Sequence, residues 1–281
     1  MESLVSTDWL AQHLHDDDLL VADASMHLPV AGRDAKAEFL EGHIAGAQFL
    51  DLASLVDRQS DVPQALPRPD QLAKWLASIG VQSGTSIVFY DDSAVKTSAR
   101  AWYLCRAHGL QNVAILDGGF SKWCAEGLPV EGGEVATIGD TSLSLSSPDS
   151  IKFKRDMIEN IESRAAQVID ARDNGRFSGT FVDNVHNMPS GHIPGSCNVP
   201  FMQLYNEDGT FKSSEELRSI FDEAGVDPKQ PVITTCGSGV TACILLFALD
   251  RLGASDMALY DGSWLDWGSD PDTPNATSVT L

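Results

Sequence analysis

Cysteines are few and unpatterned: Cys105, Cys124, Cys197, Cys236 and Cys243 contain no Cys-x-x-Cys pair. That excludes zinc-ribbon and dithiol motifs, and an odd number of thiols without a framework suits a reducing compartment. Bases are scarce too, 19 against 40 acids, for a formal charge of −21. A field of that sign repels nucleic acid and anionic membrane surfaces, so neither is expected as a partner. An anionic substrate would need a local source of positive potential. Nowhere do eighteen apolar residues run together, which argues against a membrane-spanning helix. The opening Met1-Glu-Ser-Leu-Val-Ser-Thr-Asp8 has neither the basic nor the apolar region of a secretory leader, and the expectation is a soluble cytoplasmic protein. No motif asks for a metal or an organic cofactor.

What the chain does have is length, 281 residues with 43% hydrophobic content, enough for one large core or two ordinary ones. It also repeats itself. Val21-Ala-Asp-Ala24 recurs as Val168-Ile-Asp-Ala171, Gly42-His43-Ile44 as Gly191-His192-Ile193, and Ile87-Val-Phe-Tyr-Asp91 as Val232-Ile-Thr-Thr-Cys236. Last in both series, Leu116-Asp-Gly-Gly-Phe-Ser-Lys-Trp123 recurs as Tyr260-Asp-Gly-Ser-Trp-Leu-Asp-Trp267. Four collinear matches at a nearly constant offset imply duplicated domains. The Gly-, Ser- and Thr-rich stretch 131–150 reads as a linker, so the expected division is 1–130, linker, and 151–281.

Short β-branched runs bounded by turn residues predict strands at Leu19 to Ala22, Ser86 to Tyr90 and Val113 to Leu116. In the second half they fall at Gln167 to Asp170, Val232 to Thr235 and Met257 to Tyr260. Helices are predicted between them, at Asp70 to Ser78, Ser98 to His108, Ser214 to Ala224 and Thr241 to Leu252. Ser98 to His108 and Thr241 to Leu252 are apolar enough to be buried. Strands alternating with helices imply an α/β fold, each half a mainly parallel sheet flanked by helices.

In such sheets reactive groups sit in the loops after the carboxyl ends of strands. Cys236 has that place: its strand ends at Thr235, Gly237-Ser238-Gly239-Val240 follow, and an apolar helix begins near Thr241. Two glycines let successive N–H groups turn inward, and the helix N-terminus adds partial positive charge, so a thiolate would be stabilised there. The other four cysteines read as inert thiols. A cysteine phosphatase needs an arginine six positions on to clamp phosphate, where Ala242 stands. A cysteine protease needs a histidine base at the loop, and sequence alone cannot place His43, His186 or His192 there.

These residues resemble those of the rhodanese superfamily of sulfurtransferases, and the match covers both halves. The resemblance implies an inactive first domain and a catalytic second one, with Asp91 standing where Cys236 stands. The loop Cys236-Gly237-Ser238-Gly239-Val240-Thr241-Ala242 looks like that of the branch using 3-mercaptopyruvate rather than the thiosulfate branch, which carries two basic residues after the cysteine. The implied reaction moves the sulfur of 3-mercaptopyruvate through a Cys236 persulfide to a thiol acceptor, such as thioredoxin or a small thiol, or to cyanide. Thiosulfate as donor, and a rhodanese-like binding module without turnover, remain as alternatives. Arg176 and Arg172, in Asp170-Ala-Arg172-Asp-Asn-Gly-Arg176, resemble the family's grip on the substrate carboxylate. A second family arginine has no counterpart in the stretch Gly179 to Gly191, where His186 is the candidate substitute. Asp34 and His43 resemble residues that assist proton movement with the loop serine, here Ser238.

Overall fold

A computed structural model describes residues 1–136, 143–183, 185 and 187–278. The chain divides into two compact units. Unit 1 comprises Met1–Val56, Leu66–Pro148 and Asn206–Phe211; unit 2 comprises Asp57–Ala65, Asp149–Tyr205 and Lys212–Leu281.

In unit 1 the strands are β1 (Leu4–Val5), β2 (Leu19–Asp23), β3 (His43–Ile44), β4 (Gln48–Phe49), β5 (Ser86–Tyr90), β6 (Val113–Leu116) and β7 (Val130–Glu131). The helices are α1 (Thr7–His13), α2 (Ala35–Glu41), α3 (Pro69–Ser78), α4 (Ser98–Ala107) and α5 (Gly119–Ala125). Five strands pair in parallel in the order β1-β6-β5-β2-β4, while β3 and β7 form a separate antiparallel pair. Glu131, expected in the linker, thus takes part in a strand.

Unit 2 repeats the plan with β8 (Ile151–Lys152), β9 (Gln167–Asp170), β10 (Cys197–Asn198), β11 (Val232–Thr235) and β12 (Met257–Tyr260). Its helices are α6 (Lys154–Ser163), α7 (Asn174–Ser178), α8 (Ser214–Glu223), α9 (Ala242–Arg251) and α10 (Ser263–Trp267). The sheet, again all parallel, runs β10-β9-β11-β12-β8. Matched strand by strand to the first sheet, the order is the same, as duplication requires.

The central strands are buried along nearly their whole length, Ile87 to Tyr90 in unit 1 and Val232 to Thr235 in unit 2, as parallel strands covered on both faces must be. Helix α9 follows suit: Ala242 to Leu249 are all buried, so its hydrophobic faces leave no polar side to solvent until Asp250. Trp123 closes one core and Trp264 with Trp267 the other. Each of Trp123 and Trp267 is anchored by its indole N–H, donated to the carbonyls of Pro129 and Pro274.

The recurring Gly-His-Ile motif has the same job in both halves. His43 donates its Nδ1–H to the Phe39 carbonyl at 2.7 Å and stacks on the Phe39 ring with centroids 3.9 Å apart. His192 does the same with the Phe177 carbonyl, at 2.8 Å, and the Phe177 ring, also at 3.9 Å. The motif therefore ties a short strand or turn to the preceding helix.

Candidate active site

The loop after β11 begins at Cys236, which is only 2% exposed. Gly239 adopts φ +79°, a left-handed conformation that other residues take at a cost, and this bend returns the chain into α9. The first turn closes through Cys243 N–H to Val240 O and Ile244 N–H to Thr241 O. Thr241 is the N-cap of α9, with Ser238, Val240 and Thr241 half-buried beside the thiol. A ten-residue helix thus directs its positive end at the Cys236 loop.

Unit 1 shows what such a loop holds. Asp91, the counterpart of Cys236, turns its carboxylate back into its own loop, accepting from Ser93 N–H at 2.8 Å and Ser98 N–H at 2.9 Å. The Asp91 side chain, on a residue 5% exposed, is thus satisfied by backbone N–H groups of its loop and of the first residue of α4. In unit 2 the corresponding side chain is a thiol, and of the corresponding N–H groups, on Ser238 and Cys243, that of Cys243 is given to Val240 O.

A second loop grips the Cys236 backbone from β12. Trp264 N–H donates to Cys236 O at 3.0 Å and Leu265 N–H to Gly237 O at 2.8 Å. Ser263 Oγ accepts from Cys236 N–H at 3.1 Å and donates to Tyr260 O at 2.9 Å. Sequence reasoning treated this Tyr260 to Trp267 segment only as a landmark of the repeat. The signal it missed was one of the differences inside that landmark, Gly119 in the first copy against Ser263 in the second.

The two candidate arginines separate. Arg172 is 1% exposed and forms a buried pair with Asp170, Nη2 to Oδ2 at 2.6 Å, with a further bond to Gly191 O at 2.7 Å. Its guanidinium lies over the Trp264 ring, 4.3 Å from the centroid, so it braces the residue that grips Cys236. Among the described residues its Nη1 has no hydrogen-bond partner. Arg176 sits on α7, whose N-cap Asp173 accepts from its backbone N–H and its Nε. Burial works against the charged form of Asp173, but those Arg176 donors hold its carboxyl below the ordinary value. Arg176 lines a depression of about 460 Å³ together with Phe181, Val182 and Val185. Asp183 lies 3.7 Å from its Nη1, so the cation faces carboxylates on both sides. His186 lies outside the described residues.

The two residues drawn from the first half are held within unit 1. Asp34 caps α2, its Oδ1 accepting from Lys36 N–H at 3.0 Å and Ala37 N–H at 3.1 Å. His43 is fully buried, with Nε2 3.5 Å from Glu131 Oε1. Among the other thiols, burial pushes Cys105 far up and Cys197 up to about 11, while Cys124 is raised by burial and then by Asp92. None of these three has a reason to ionise near neutrality. Among the described residues there is no cluster of His, Cys, Asp and Glu suited to a metal, and no helix long and apolar enough to cross a membrane.

The profile of the Rhodanese-like domain matches residues 6–126 and 154–270. Over 271 residues the chain is 40% identical to the 3-mercaptopyruvate sulfurtransferase of Mus musculus, covering 94% of this chain and 91% of that one. It is 37% identical over 272 residues to a thiosulfate sulfurtransferase of Cricetulus griseus, covering 94% and 91%. Among solved structures, the 3-mercaptopyruvate sulfotransferase SseA of Escherichia coli superposes with a TM-score of 0.84 at 35% identity, covering 94% of this chain and 99% of that one.

Proposed function

We propose, since the chain belongs to the rhodanese family and is a sulfurtransferase, that it takes sulfur from 3-mercaptopyruvate onto Cys236 and passes it to a thiol. The observation that carries this reading is the Asp91 carboxylate: a loop of the same descent and the same place in the sheet holds a negative charge on its backbone N–H groups. Where the side chain is Cys236, the charge so held is a thiolate, and then a persulfide.

The Cys236 thiolate attacks the donor sulfur and forms an S–S bond as the donor's C–S bond breaks. The bonding pair leaves on carbon as the pyruvate enolate, which the neighbouring carbonyl stabilises and which takes up a proton to become pyruvate. The proton taken up is the donor's own thiol proton, which leaves the persulfide on Cys236 anionic. An acceptor thiolate then attacks the outer sulfur, the S–S bond breaks, and the Cys236 thiolate returns. N–H groups from Gly237 to Thr241 stabilise the anionic sulfur in both steps. Ser238, half-buried in the same loop, is assigned the relay of that proton from the donor thiol to the enolate carbon, its own hydroxyl ending as it began. Asp34 and His43 are committed to a helix cap and to the Phe39 contacts, so this reading rests no step on them.

Arg176 is assigned to the donor carboxylate. With Asp173 and Asp183 beside it, it suits one negative charge better than two, and the loop's Gly237 and Ser238 add no cation. Both features favour 3-mercaptopyruvate over thiosulfate as donor. An acceptor such as thioredoxin or a small thiol suits the second step equally. Five free thiols suit a reducing compartment.

The test is Cys236→Ser with both donors. Pyruvate release from 3-mercaptopyruvate by that variant would falsify the reading. In the unaltered protein, turnover with 3-mercaptopyruvate should exceed turnover with thiosulfate at matched concentrations, and the opposite order assigns the thiosulfate activity instead.

A further inference from the structure

We propose that Ser263 is a positioning residue for the nucleophile, fixing the direction of the Cys236 side chain by holding the peptide that precedes it. The proposal rests on the reading of Cys236 as the nucleophile.

Three facts about this serine converge. It is fully buried, and its hydroxyl is used to capacity: it accepts from Cys236 N–H at 3.1 Å and from Thr235 Oγ1 at 3.3 Å, and donates to Tyr260 O at 2.9 Å. A hydroxyl has one proton to donate and two lone pairs to accept with, so none of its capacity is left over. Its backbone has φ +50°, a region L-residues other than Asn and Asp rarely occupy because of the Cβ clash. A non-glycine residue retained there is retained for its side chain.

The duplicate supplies the control. The counterpart, Gly119, has φ +60°, and a Cβ on it would come within 2.4 Å of the Asp91 carbonyl oxygen. The backbone clasp is otherwise the same in both copies, with Phe120 N–H to Asp91 O at 3.1 Å matching Trp264 N–H to Cys236 O at 3.0 Å. The fold therefore makes this turn with glycine alone. The hydroxyl is an addition in the half that carries the cysteine.

Its effect is geometric. Trp264 fixes the peptide after Cys236 through the carbonyl, and Ser263 fixes the peptide before it through the N–H. With both peptide planes held, the Cα–Cβ bond has one direction, and the sulfur is left only the rotation about that bond. Without Ser263 the preceding peptide keeps only the bond on its carbonyl, from Ala171 N–H to Thr235 O at 2.9 Å, and loses the one on its N–H. A small error in the direction of attack costs rate while leaving donor binding alone.

The experiment compares Ser263→Gly and Ser263→Ala with the unaltered protein and with Cys236→Ser. Glycine suits the positive φ, so Ser263→Gly should fold with an unfolding temperature near the original. The expected result is that both variants lose about tenfold in kcat with 3-mercaptopyruvate, the worth of one hydrogen bond, with KM unchanged. Alkylation of Cys236 by iodoacetamide, followed by intact mass, should slow in parallel. Wild-type kcat and alkylation rate in Ser263→Gly overturn the proposal, as does a loss confined to Ser263→Ala, which would mark a folding effect. Should Cys236→Ser keep its activity, the nucleophile assignment fails instead, independently of how Ser263 behaves.

Discussion

Arg172 stands over the face of Trp264, its guanidinium carbon 4.3 Å from the ring centroid, while its Nη2 bonds the Asp170 carboxylate at 2.6 Å. Asp170 ends the strand next to β11, and Trp264 holds the Cys236 carbonyl. The arginine therefore joins the sheet to the clasp on Cys236, through contacts buried within unit 2.

Arg172 and Arg176 should accordingly fail differently. Arg172→Ala leaves Asp170 charged and unpaired in the interior, at a cost of about 3–5 kcal/mol in stability. Urea unfolding should show this as a large drop in midpoint. Arg176→Ala, at a side chain 16% exposed, should lower the midpoint less than Arg172→Ala does and raise the KM for 3-mercaptopyruvate roughly tenfold or more. An unchanged KM removes Arg176 from the donor site.

Asp91→Ala empties the loop of unit 1. The Ser93 and Ser98 N–H groups lose their acceptor, and each buried unsatisfied donor costs about 1–3 kcal/mol. The expected outcome is a loss of stability of a few kcal/mol, partly restored by adding an oxyanion such as sulfate at millimolar concentration. Calorimetric scans with and without sulfate measure it; equal unfolding temperatures for the variant and the original protein refute the anion-holding role.

Asp23, at the end of β2, has its pKa raised from 3.8 to about 6, first by burial, against the opposing Ser25 hydrogen bonds, with Asp91 adding repulsion. An acid with a higher pKa in the folded state binds its proton more tightly there. Its contribution is most favourable below pH 4 and is lost as pH rises towards 6, by about 3 kcal/mol in all. Asp23→Asn keeps an acceptor for Ser25 N–H and removes the charge. The variant should be more stable than the original at pH 7.5 by up to that amount, with the gap shrinking at pH 4.5; a gap that does not vary with pH contradicts the assignment.

Gly239→Ala tests the bend in the nucleophile loop. At φ +79° an alanine costs roughly 1–2 kcal/mol, which the loop can escape only by unwinding around Ser238 and Val240. Sulfur transfer should fall more than tenfold while far-UV circular dichroism stays the same. Full activity in the variant would mean the inward turn of the N–H groups is not needed.

Much of the fold was legible in the chain because the interior strands advertise themselves. Ser86 to Tyr90, Val113 to Leu116, Gln167 to Asp170, Val232 to Thr235 and Met257 to Tyr260 are strands over the predicted spans. The edge strands, such as Leu4–Val5 and Cys197–Asn198, were not legible, since two residues cannot display a period. At the site, the place of Cys236 followed from strand, glycines and helix in succession. The fates of Arg172 and His43 did not follow, because which partner claims a charged or polar side chain depends on residues distant in sequence, here Trp264 and Glu131. Ser263 was hidden for a related reason: the sequence displays the serine, but only the backbone shows that it sits where glycine would be easier.

The Asp91 carboxylate has one more consequence. It behaves as an inhibitor tethered to its own receptor, present at an effective concentration no free anion can match. A duplicated domain that acquires such a group keeps the charge its loop was shaped around, and with it the fold, while giving up exchange with solutes altogether. On the proposal that only Cys236 carries sulfur, silencing the first copy needs no dismantling of its architecture, only an occupant that never leaves.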